Sequence, residues 1–267
     1  MTLKEYQDIL YEILCVVDDI CRKNRIPYML YGGTMLGAVR HNDFIPWDDD
    51  VDILIWWKDY KRFRSRLKEE LPPHLKLVEP IDMAPYFHDQ TIRVSDMRYY
   101  MHEPDKEDMF YGNKQNHICV DIFQLVYSGN TVLECRITGL LYKILWGLAM
   151  GHRYQVKNEN YTFLERMQAA VLSIVGARCS VEKIIRWMQK LIERQSRKKK
   201  RYCMAVNSSP IGLDWIYESK WYRNVVYQPF RERKLPIPKE YDKHLTMQYG
   251  NYMQPVRDWD TYIQHFK

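Results

Sequence analysis

Apolar residues recur at helical spacing in several parts of the chain. Residues 3–24 carry them three or four positions apart before Pro27, which predicts one amphipathic helix. A surface helix is predicted at residues 58–71 and a short helix near residues 241–249. Three further helices are predicted in the middle of the chain, at residues 133–150, 163–175 and 181–197.

Short runs of β-branched and aromatic residues predict strands between these helices. They are expected at residues 28–31, 51–56, 75–78, 90–94 and 118–125. Residues 96–114 are polar and irregular, and we expect an active-site loop there. Residues 235–238 (LPIP) are expected to form a rigid turn, and Thr34 to cap a helix over residues 35–40.

The order of these elements favours one interwoven α/β domain over residues 1–267. We divide it into a catalytic α/β core (residues 1–130), a helical insert (131–200) and a closing segment (201–267). The first helix carries acids and lacks a long apolar stretch, so we expect neither a signal peptide nor a transmembrane helix there.

The composition is that of a globular protein with an anionic partner. Hydrophobic residues make up 46% and charged residues 28% of the chain, and the net charge is +6. Much of the excess lies in residues 194–201 (RQSRKKKR), a run typical of a solvated face, and we expect no nucleic-acid binding. The six cysteines contain no CxxC pair, which favours reduced thiols in a cytoplasmic protein.

Peripheral association with the inner face of a membrane is left open by two segments. Residues 137–151 (ITGLLYKILWGLAMG) form the most apolar stretch, which is too short to span a bilayer and contains Lys143. A buried helix is the favoured interpretation of this stretch. The basic run at residues 194–201 is the second segment that could contact an anionic membrane surface.

Two adjacent glycines, Gly32 and Gly33, follow the first predicted strand and precede a predicted helix. Glycine lets the backbone approach a phosphate closely, and a helix N-terminus offers free N–H groups with a partial positive charge. An ordinary tight turn would use the same pair. The glycines therefore need the acidic residues that follow before they indicate a phosphate site.

Acids crowd the start of the second predicted strand, at Asp48, Asp49, Asp50 and Asp52. Because alternate side chains of a strand point to the same face, we expect Asp50 and Asp52 to lie side by side. Close carboxylates repel each other unless a cation neutralises them, and their oxygens suit Mg²⁺ or Mn²⁺. A polar strand end facing solvent is the alternative, and the density of acids argues against it.

A further acid, Asp121, lies inside the apolar run of residues 118–125. Burying a carboxylate is costly unless it is paired or bound to a metal. Asp121 would complete a triad of acids if its strand lay beside residues 51–56, which the sequence alone does not establish. An aspartate that caps a nearby loop is the competing interpretation.

Together the glycine turn, the acid-x-acid strand and the later acid resemble the nucleotidyltransferase superfamily. Residues 32–53 (GGTMLGAVRHNDFIPWDDDVDI) are more specific, since they strongly resemble the LicD family, which includes bacterial phosphocholine transferases and the fukutin-related proteins. The sequence departs from the family pattern at residues 41–43, where a glycine is common. We expect this departure to affect only a loop.

The resemblance extends to most of the chain outside the helical insert. Residues 90–96 (QTIRVSD), 119–125 (CVDIFQL) and 235–252 (LPIPKEYDKHLTMQYGNY) resemble further family segments, with Gln124 in place of a proline. The resemblance implies a nucleotidyltransferase-like mixed β-sheet core flanked by helices, with an inserted helical segment.

The resemblance also implies an activity. The family moves a phosphate-linked group from a CDP-activated donor to a glycan hydroxyl, and phosphocholine transfer to a cell-surface glycan or glycolipid, such as lipopolysaccharide or capsule, is the first expectation. Asp50, Asp52 and Asp121 would be the catalytic acids and the ligands of Mg²⁺ or Mn²⁺. Asp121 would act as a ligand or as the general base, and Asp48 as an outer-shell or acceptor-binding acid.

Five residues would bind the donor by the same resemblance. Gly32, Gly33 and Thr34 would hold its phosphates. Arg40 and Arg93 would neutralise phosphate charge, since arginine can grip an anion with two N–H groups. Arg40 is the stronger candidate of the two.

A phosphocholine group would also need aromatic side chains around its quaternary ammonium. Trp47, Trp56 and Trp57, or the tyrosines between residues 99 and 111, are candidates that the sequence does not separate. Residues 249–252 (YGNY) either line a pocket by stacking or mark the end of a helix at a glycine.

Two other classes of function remain open. A nucleotidyltransferase that moves NMP from an NTP to a small molecule or protein would use the same acids and release pyrophosphate. A catalytically inactive, glycan-binding scaffold would keep the fold, although the retained acids argue against it. The acceptor and the oligomeric state are not determined by the sequence.

Overall fold

The computed structural model describes residues 1–154, 163–206 and 215–255, with the backbone alone for residues 163–166 and 169. Its helices are α1 (Leu3–Lys23), α2 (Gly32–His41), α3 (Trp57–Glu70), α4 (Lys106–Phe110), α5 (Val132–Ala149), α6 (Phe163–Gly176), α7 (Val181–Ser196) and α8 (Tyr241–Tyr249). Its strands are β1 (Met29–Leu30), β2 (Asp52–Trp56), β3 (Leu75–Val78), β4 (Ile92–Tyr100), β5 (His117–Gly129), β6 (Tyr202–Val206), β7 (Tyr217–Glu218), β8 (Val225–Phe230) and β9 (Arg233–Pro238).

Seven of the strands form one curled mixed sheet flanked by helices, which confirms the predicted α/β class. β1, β2, β5, β4 and β3 lie side by side in that order. β2 and β5 run parallel, and the other neighbouring pairs are antiparallel. The first half of β5 pairs with β4 and its second half with β6, which β7 extends.

β2 is apolar at consecutive positions because both of its faces are covered. Ile53 and Ile55 join the core that α1, α2 and α3 form with the β8–β9 hairpin. Leu54 and Trp56 point the other way and pack with residues of β5, β6 and β7. α5 and α7 of the helical insert bury a separate cluster against β5 and β6.

Most of the predicted elements are present, but two predictions near the site are wrong. The helix expected at residues 35–40 begins at Gly32, and its N-cap residue is Tyr31, so Thr34 does not cap it. The loop expected at residues 96–114 is partly ordered into regular elements. β4 continues to Tyr100 with an exposed end, and α4 occupies Lys106–Phe110.

The rigid turn expected at residues 235–238 is also wrong, since these residues lie in β9. β9 pairs with β8 in a two-stranded sheet of its own. Pro236 and Pro238 lack an N–H group, but a strand in such a hairpin leaves one edge without ladder hydrogen bonds, where proline is tolerated. Leu235 and Ile237 are fully buried in the core beside α1.

The closing segment is joined to the core through β6, which pairs with β5. Parts of that segment, at residues 207–214 and 256–267, lie outside the described residues. The division into core, insert and closing segment stays a prediction. Over the ranges that the structure covers, no helix is both long and apolar enough to cross a membrane.

Candidate active site

The two glycines bring the start of α2 against the carboxylates of the acidic segment. Gly32 has a φ of +53°, a left-handed conformation that favours glycine. A Cβ atom built on Gly32 would lie 2.8 Å from Oδ2 of Asp52, and one built on Gly33 would lie 2.6 Å from Oδ2 of Asp48. The pair therefore does more than turn the chain, since any side chain there would displace an acid.

Thr34 fixes the start of β2. Its side chain is buried, and its Oγ1 accepts a hydrogen bond of 2.8 Å from the backbone N–H of Asp52. The N–H of Tyr31 donates to the carbonyl oxygen of Asp52 at 3.0 Å. The backbone of Asp52 is thus held on both sides, by Tyr31 at the N-cap of α2 and by Thr34 in its first turn. Phosphate binding by Thr34 stays a prediction, whereas its hydrogen bond to Asp52 is part of the structure.

Gln7 holds the acidic segment from the opposite side, and the sequence analysis did not identify it. Its buried side chain donates from Nε2 to the carbonyl oxygen of Asp48 at 2.8 Å and to that of Ile45 at 3.4 Å. The signal in the sequence is a glutamine on the apolar face of α1, because a buried amide needs hydrogen-bond partners.

Asp48, Asp50 and Asp52 line one cleft of about 550 Å³, which we call the acid cleft. Gly32, Gly33 and Arg40 also line it. Aromatic side chains form much of its wall, at Tyr31, Trp47, Phe123, Trp215, Tyr249 and Tyr252. A larger cleft of about 970 Å³ lies between α3 and α7 and contains none of the predicted acids, glycines or arginines. The chemistry-bearing residues therefore point to the smaller cleft.

Asp121 lies opposite Asp52 in the parallel pairing of β5 with β2. The N–H of Asp121 donates to the carbonyl oxygen of Val51 at 2.8 Å. This arrangement confirms the adjacency that the sequence could not establish. Paired residues of neighbouring strands point to the same face, so Asp121 joins the acids of β2 on one side of the sheet.

Burial and mutual repulsion act on the acids together. Burial raises the pKa of Asp52 well above its usual value, and repulsion from Asp50, Asp121 and Asp48 raises it further. Burial also raises the pKa of Asp48, with added repulsion from Asp50. The pKa of Asp121 is raised by burial, although Arg93 opposes that shift. Such a cluster of acids favours a bound cation.

The acids fit a divalent cation that is shared with a substrate. Among the described residues, no group of three or more His, Cys, Asp or Glu side chains is arranged so that it could hold a metal ion, so the fit rests on a pair of carboxylates. Mg²⁺ usually keeps waters and binds one or two carboxylates together with substrate phosphates. Asp50 and Asp52 supply such a pair in an open cleft. The metal role of Asp50, Asp52 and Asp121 stays a prediction with which these residues are compatible.

The two predicted arginines differ in their partners. Arg93 has its Nη2 2.7 Å from Oδ2 of Asp89 and its Nε 3.3 Å from Oδ1 of Asp121. Burial would lower the pKa of Arg93, but these two acids raise it overall. Arg93 therefore holds Asp121 in place, and its charge is already compensated by carboxylates.

Arg40 is the cation that the acid cleft leaves available. Its Nη1 donates to the carbonyl oxygen of Tyr252 at 2.7 Å, which ties the residues after α8 to the cleft wall. Within the parts of the chain that the structure covers, Arg40 forms no ion pair with a carboxylate. Burial lowers the pKa of Arg40, because a charged group loses solvation there.

The structure separates the tryptophans that the sequence left equivalent. Trp47 lines the acid cleft. Trp56 is buried and donates from Nε1 to the carbonyl oxygen of Tyr222 at 3.2 Å, and Trp57 lines the larger cleft. The tyrosines between residues 99 and 111 do not line the acid cleft.

Both interpretations of residues 249–252 hold. Tyr249 and Tyr252 line the acid cleft, while Gly250, with a φ of +63°, follows the last residue of α8. The sequence analysis missed Phe123 and Trp215. Phe123 could have been found, because it lies two positions after Asp121 on the same strand face. No sequence signal points to Trp215.

The matching family model describes a nucleotidyltransferase domain, namely "LicD/FKTN/FKRP, nucleotidyltransferase domain", and it covers residues 25–140. This range contains the glycines, the acids and both strands that carry Asp52 and Asp121. These residues thus lie within a match to the LicD family model, which confirms the resemblance stated from the sequence.

Two kinds of relatives show the same similarity. "Lipopolysaccharide cholinephosphotransferase LicD" from Haemophilus influenzae is 26% identical over 274 residues, which span 100% of this chain and 97% of the relative. "Ribitol 5-phosphate transferase FKRP" from human and mouse is 56% identical over 34 residues, or 13% of this chain and 7% of the relatives. The similarity is thus weak over the full length and strong over a short segment.

Proposed function

We propose that this protein is a metal-dependent phosphotransferase of the LicD type. It moves a phosphate-linked group from a CDP-activated donor to a hydroxyl group of a cell-surface glycan or glycolipid. Phosphocholine is the first candidate for the transferred group. The full-length similarity to a lipopolysaccharide cholinephosphotransferase supports the transferred group and the class of acceptor.

One observation carries this proposal. The acid cleft contains three carboxylates, and its backbone at Gly32 and Gly33 carries no side chains. It also contains Arg40, which has no acidic partner among the described residues. A phosphate donor needs this combination, because its own negative charge must be neutralised close to the chain. The aromatic wall adds surfaces that suit a nucleobase or a quaternary ammonium group.

Different residues of the cleft would have different roles in an in-line displacement. Mg²⁺ or Mn²⁺, held by Asp50 and Asp52, would neutralise charge on the transferred phosphate and on the leaving group. Arg40 adds a positive charge from the cleft wall, and Gly32 and Gly33 allow the phosphates to approach the backbone. The chain otherwise acts by positioning the reactants, as is usual in phosphoryl transfer.

The transfer proceeds by direct displacement at phosphorus and needs no covalent intermediate. The acceptor oxygen forms a bond to the phosphorus of phosphocholine, and the bond from that phosphorus to the bridging oxygen of the diphosphate breaks. CMP leaves, and the proton of the acceptor hydroxyl passes to a base. Asp121, with its pKa raised and Arg93 fixing its position, can supply that base or complete the metal site.

Calorimetric titration tests the donor and the metal together. CDP-choline, CDP-ribitol and ATP are titrated with and without Mn²⁺ into the wild type, into Asp52→Ala and into Glu69→Ala, which removes an exposed acid on α3. We expect Mn²⁺-dependent binding of CDP-choline that is lost in Asp52→Ala and kept in Glu69→Ala. A preference for CDP-ribitol would keep the reaction and change the transferred group.

Other outcomes would contradict the proposal. A preference for ATP, with pyrophosphate as the product, would favour a nucleotidyltransferase. Absence of binding of all three nucleotides, in a folded protein, would favour a scaffold without this activity. For the role of Asp121, Asp121→Asn separates the two assignments: a ligand role predicts weaker Mn²⁺ binding, and a base role predicts unchanged binding with a lower transfer rate.

A further inference from the structure

The helical insert exposes two apolar helix faces. On α5 and α6 the exposed large apolar side chains recur at helical spacing, and Leu133 and Ile174 are 68% and 60% exposed. The set consists of Val132, Leu133, Ile137, Leu140, Leu141, Ile144, Met167, Val171, Ile174 and Val175, which we call the insert face. Contiguous apolar surfaces of this kind usually mark a binding site.

The two helices pack closely enough to present one surface. A Cβ atom built on Gly147 of α5 would lie 2.5 Å from Cδ1 of Leu172 of α6. One built on Gly176 would overlap the backbone at Leu148. Small residues at these contacts let the two backbones approach each other. The outward sides of α5 and α6 are therefore neighbours, while the inward side of α5 buries Tyr142 and Trp146.

Basic residues border the insert face. The run at residues 197–201 is mostly exposed, and the N–H of Arg201 donates to Oδ1 of Asn130 at 3.1 Å, just before α5 begins. Arg136 on α5 and Arg178 after α6 are also exposed. The acid of α5, Glu134, is engaged at its carboxylate by the N–H of Asn130. Glu134 keeps its negative charge, but the exposed bases named here outnumber it, so together they give this border a net positive charge.

We propose that the insert face binds the surface of an anionic lipid bilayer. Apolar side chains on helices bordered by Lys and Arg match the two layers of a membrane interface, since the apolar groups enter the acyl boundary and the cations meet the headgroups. A protein partner would not require this arrangement of charge around an apolar surface. No described helix is suited to span the bilayer, so the contact is peripheral.

Co-sedimentation of the full chain with vesicles tests this inference independently of any activity. Vesicles of phosphatidylcholine alone are compared with vesicles of phosphatidylcholine that contain about 30 mol% phosphatidylglycerol. We expect binding to the anionic vesicles and little binding to the neutral ones. The double variant Leu133→Glu/Leu140→Glu should lower the partition coefficient at least about tenfold, because two apolar side chains no longer enter the interface.

Two matched controls accompany that variant. Met109→Glu changes a side chain that is 69% exposed on α4, outside the insert face, and should leave vesicle binding unchanged. Lys198→Gln/Lys199→Gln should weaken binding about tenfold at low salt and less at high salt, whereas Lys234→Gln/Lys239→Gln, in and after the β8–β9 hairpin, should not. Urea unfolding of every variant is compared with that of the wild type, to show that each variant is folded.

Three results would overturn the inference. The wild type could remain wholly in the supernatant with anionic vesicles, or it could bind them equally well after Leu133→Glu/Leu140→Glu. It could also form a dimer in solution that this variant dissociates, without vesicle binding, and a second copy would then cover the face. Because no donor or glycan is present, these results do not depend on the proposed transferase reaction.

Discussion

Asp52 and Asp121 lie opposite each other on the parallel strands β2 and β5. Parallel neighbours require a crossover connection, and here α3, β3, β4 and α4 lie between the two strands in the sequence. The pairing brings the third acid beside a segment that already holds Asp48 and Asp50. Burial is the main cause of the raised pKa of Asp52, and repulsion from Asp50 and then from Asp121 adds to it.

Replacement of Gly32 by alanine should disturb the acid cleft through Asp52. Gly32 has a φ of +53°, and the new methyl group would lie 2.8 Å from Oδ2 of Asp52. Gly112 has a φ of +67° with no atom within 4 Å of its Cβ position, so Gly112→Ala carries only the backbone cost. In urea unfolding, the backbone cost should be about 1 kcal/mol in both variants, and the contact with Asp52 should add to it in Gly32→Ala.

Only Gly32→Ala should lose Mn²⁺-dependent binding of CDP-choline, by about tenfold or more, since the Asp52 carboxylate must move. Calorimetry on both variants measures the difference. Equal losses in Gly32→Ala and Gly112→Ala would show that backbone strain, and not contact with Asp52, sets the effect.

Arg40 and Arg93 should respond differently to replacement by glutamine. Arg40→Gln removes a cation without an acidic partner among the described residues, so donor affinity should fall about tenfold or more while stability changes little. Arg93→Gln leaves Asp89 and Asp121 without their buried cation and should cost about 3 kcal/mol of unfolding free energy. Urea unfolding and calorimetric binding of CDP-choline separate the two effects.

The contrary pattern would be informative. If Arg93→Gln stayed as stable as the wild type, the two acids would not depend on it. If Arg40→Gln bound the donor normally, the cation of the cleft would have no role in donor binding.

The stability that the neutral ring of His244 contributes should be lost in mild acid. Burial lowers the pKa of His244 from 6.5 to about 4. Its Nδ1 accepts from the hydroxyl of Tyr222 at 2.5 Å and its Nε2 donates to Gln248 at 2.8 Å, which suits a neutral ring, and Tyr31 and Tyr217 pack against it. The unfolded chain binds the proton first as the pH drops, so stability is lost between about pH 6.5 and pH 4.

The size of this loss is up to about 3 kcal/mol, from the linkage between pKa and stability. Urea unfolding at pH 7 and pH 4.5 measures it for the wild type and for His244→Gln. The variant should be less stable at pH 7 and should lose less on acidification. An equal pH dependence in both proteins would assign the effect to other groups.

Asp18 should anchor the β8–β9 hairpin to α1. It is almost fully buried and accepts from Nη1 of Arg233 at 2.9 Å, from Nε of Arg22 at 2.8 Å and from the hydroxyl of Tyr28 at 2.9 Å. Asp18→Ala removes the shared partner of all three groups and should cost about 2–3 kcal/mol in urea unfolding.

Asp19→Ala is the matched control, because Asp19 pairs with the same Arg233 from a side chain that is 62% exposed. It should cost less than about 1 kcal/mol. A cost for Asp19→Ala equal to that for Asp18→Ala would mean that the exposed pair, and not the buried carboxylate, holds the hairpin.

Local patterns in the sequence predicted much of the secondary structure. The helical spacing of apolar residues predicted α1, and the apolar runs predicted β2 and the central part of β5. These predictions succeed because burial on one or both faces determines which positions of an element are apolar. The errors at residues 96–100 and 235–238 arose where strand pairing outweighs local preference. β9 accepts two prolines because its partner strand uses only one of its edges.

The sequence by itself determined the chemistry of the candidate site, since Gly32, Gly33, Asp50 and Asp52 lie within one short segment whose spacing is readable. Only the tertiary structure decided that Asp121 stands beside Asp52, that Arg93 is engaged by acids while Arg40 faces the cleft, and that Trp47 rather than Trp57 lines it. The physical reason is that strand pairing and ion pairing join residues far apart in the chain, and no local period records which distant groups will meet.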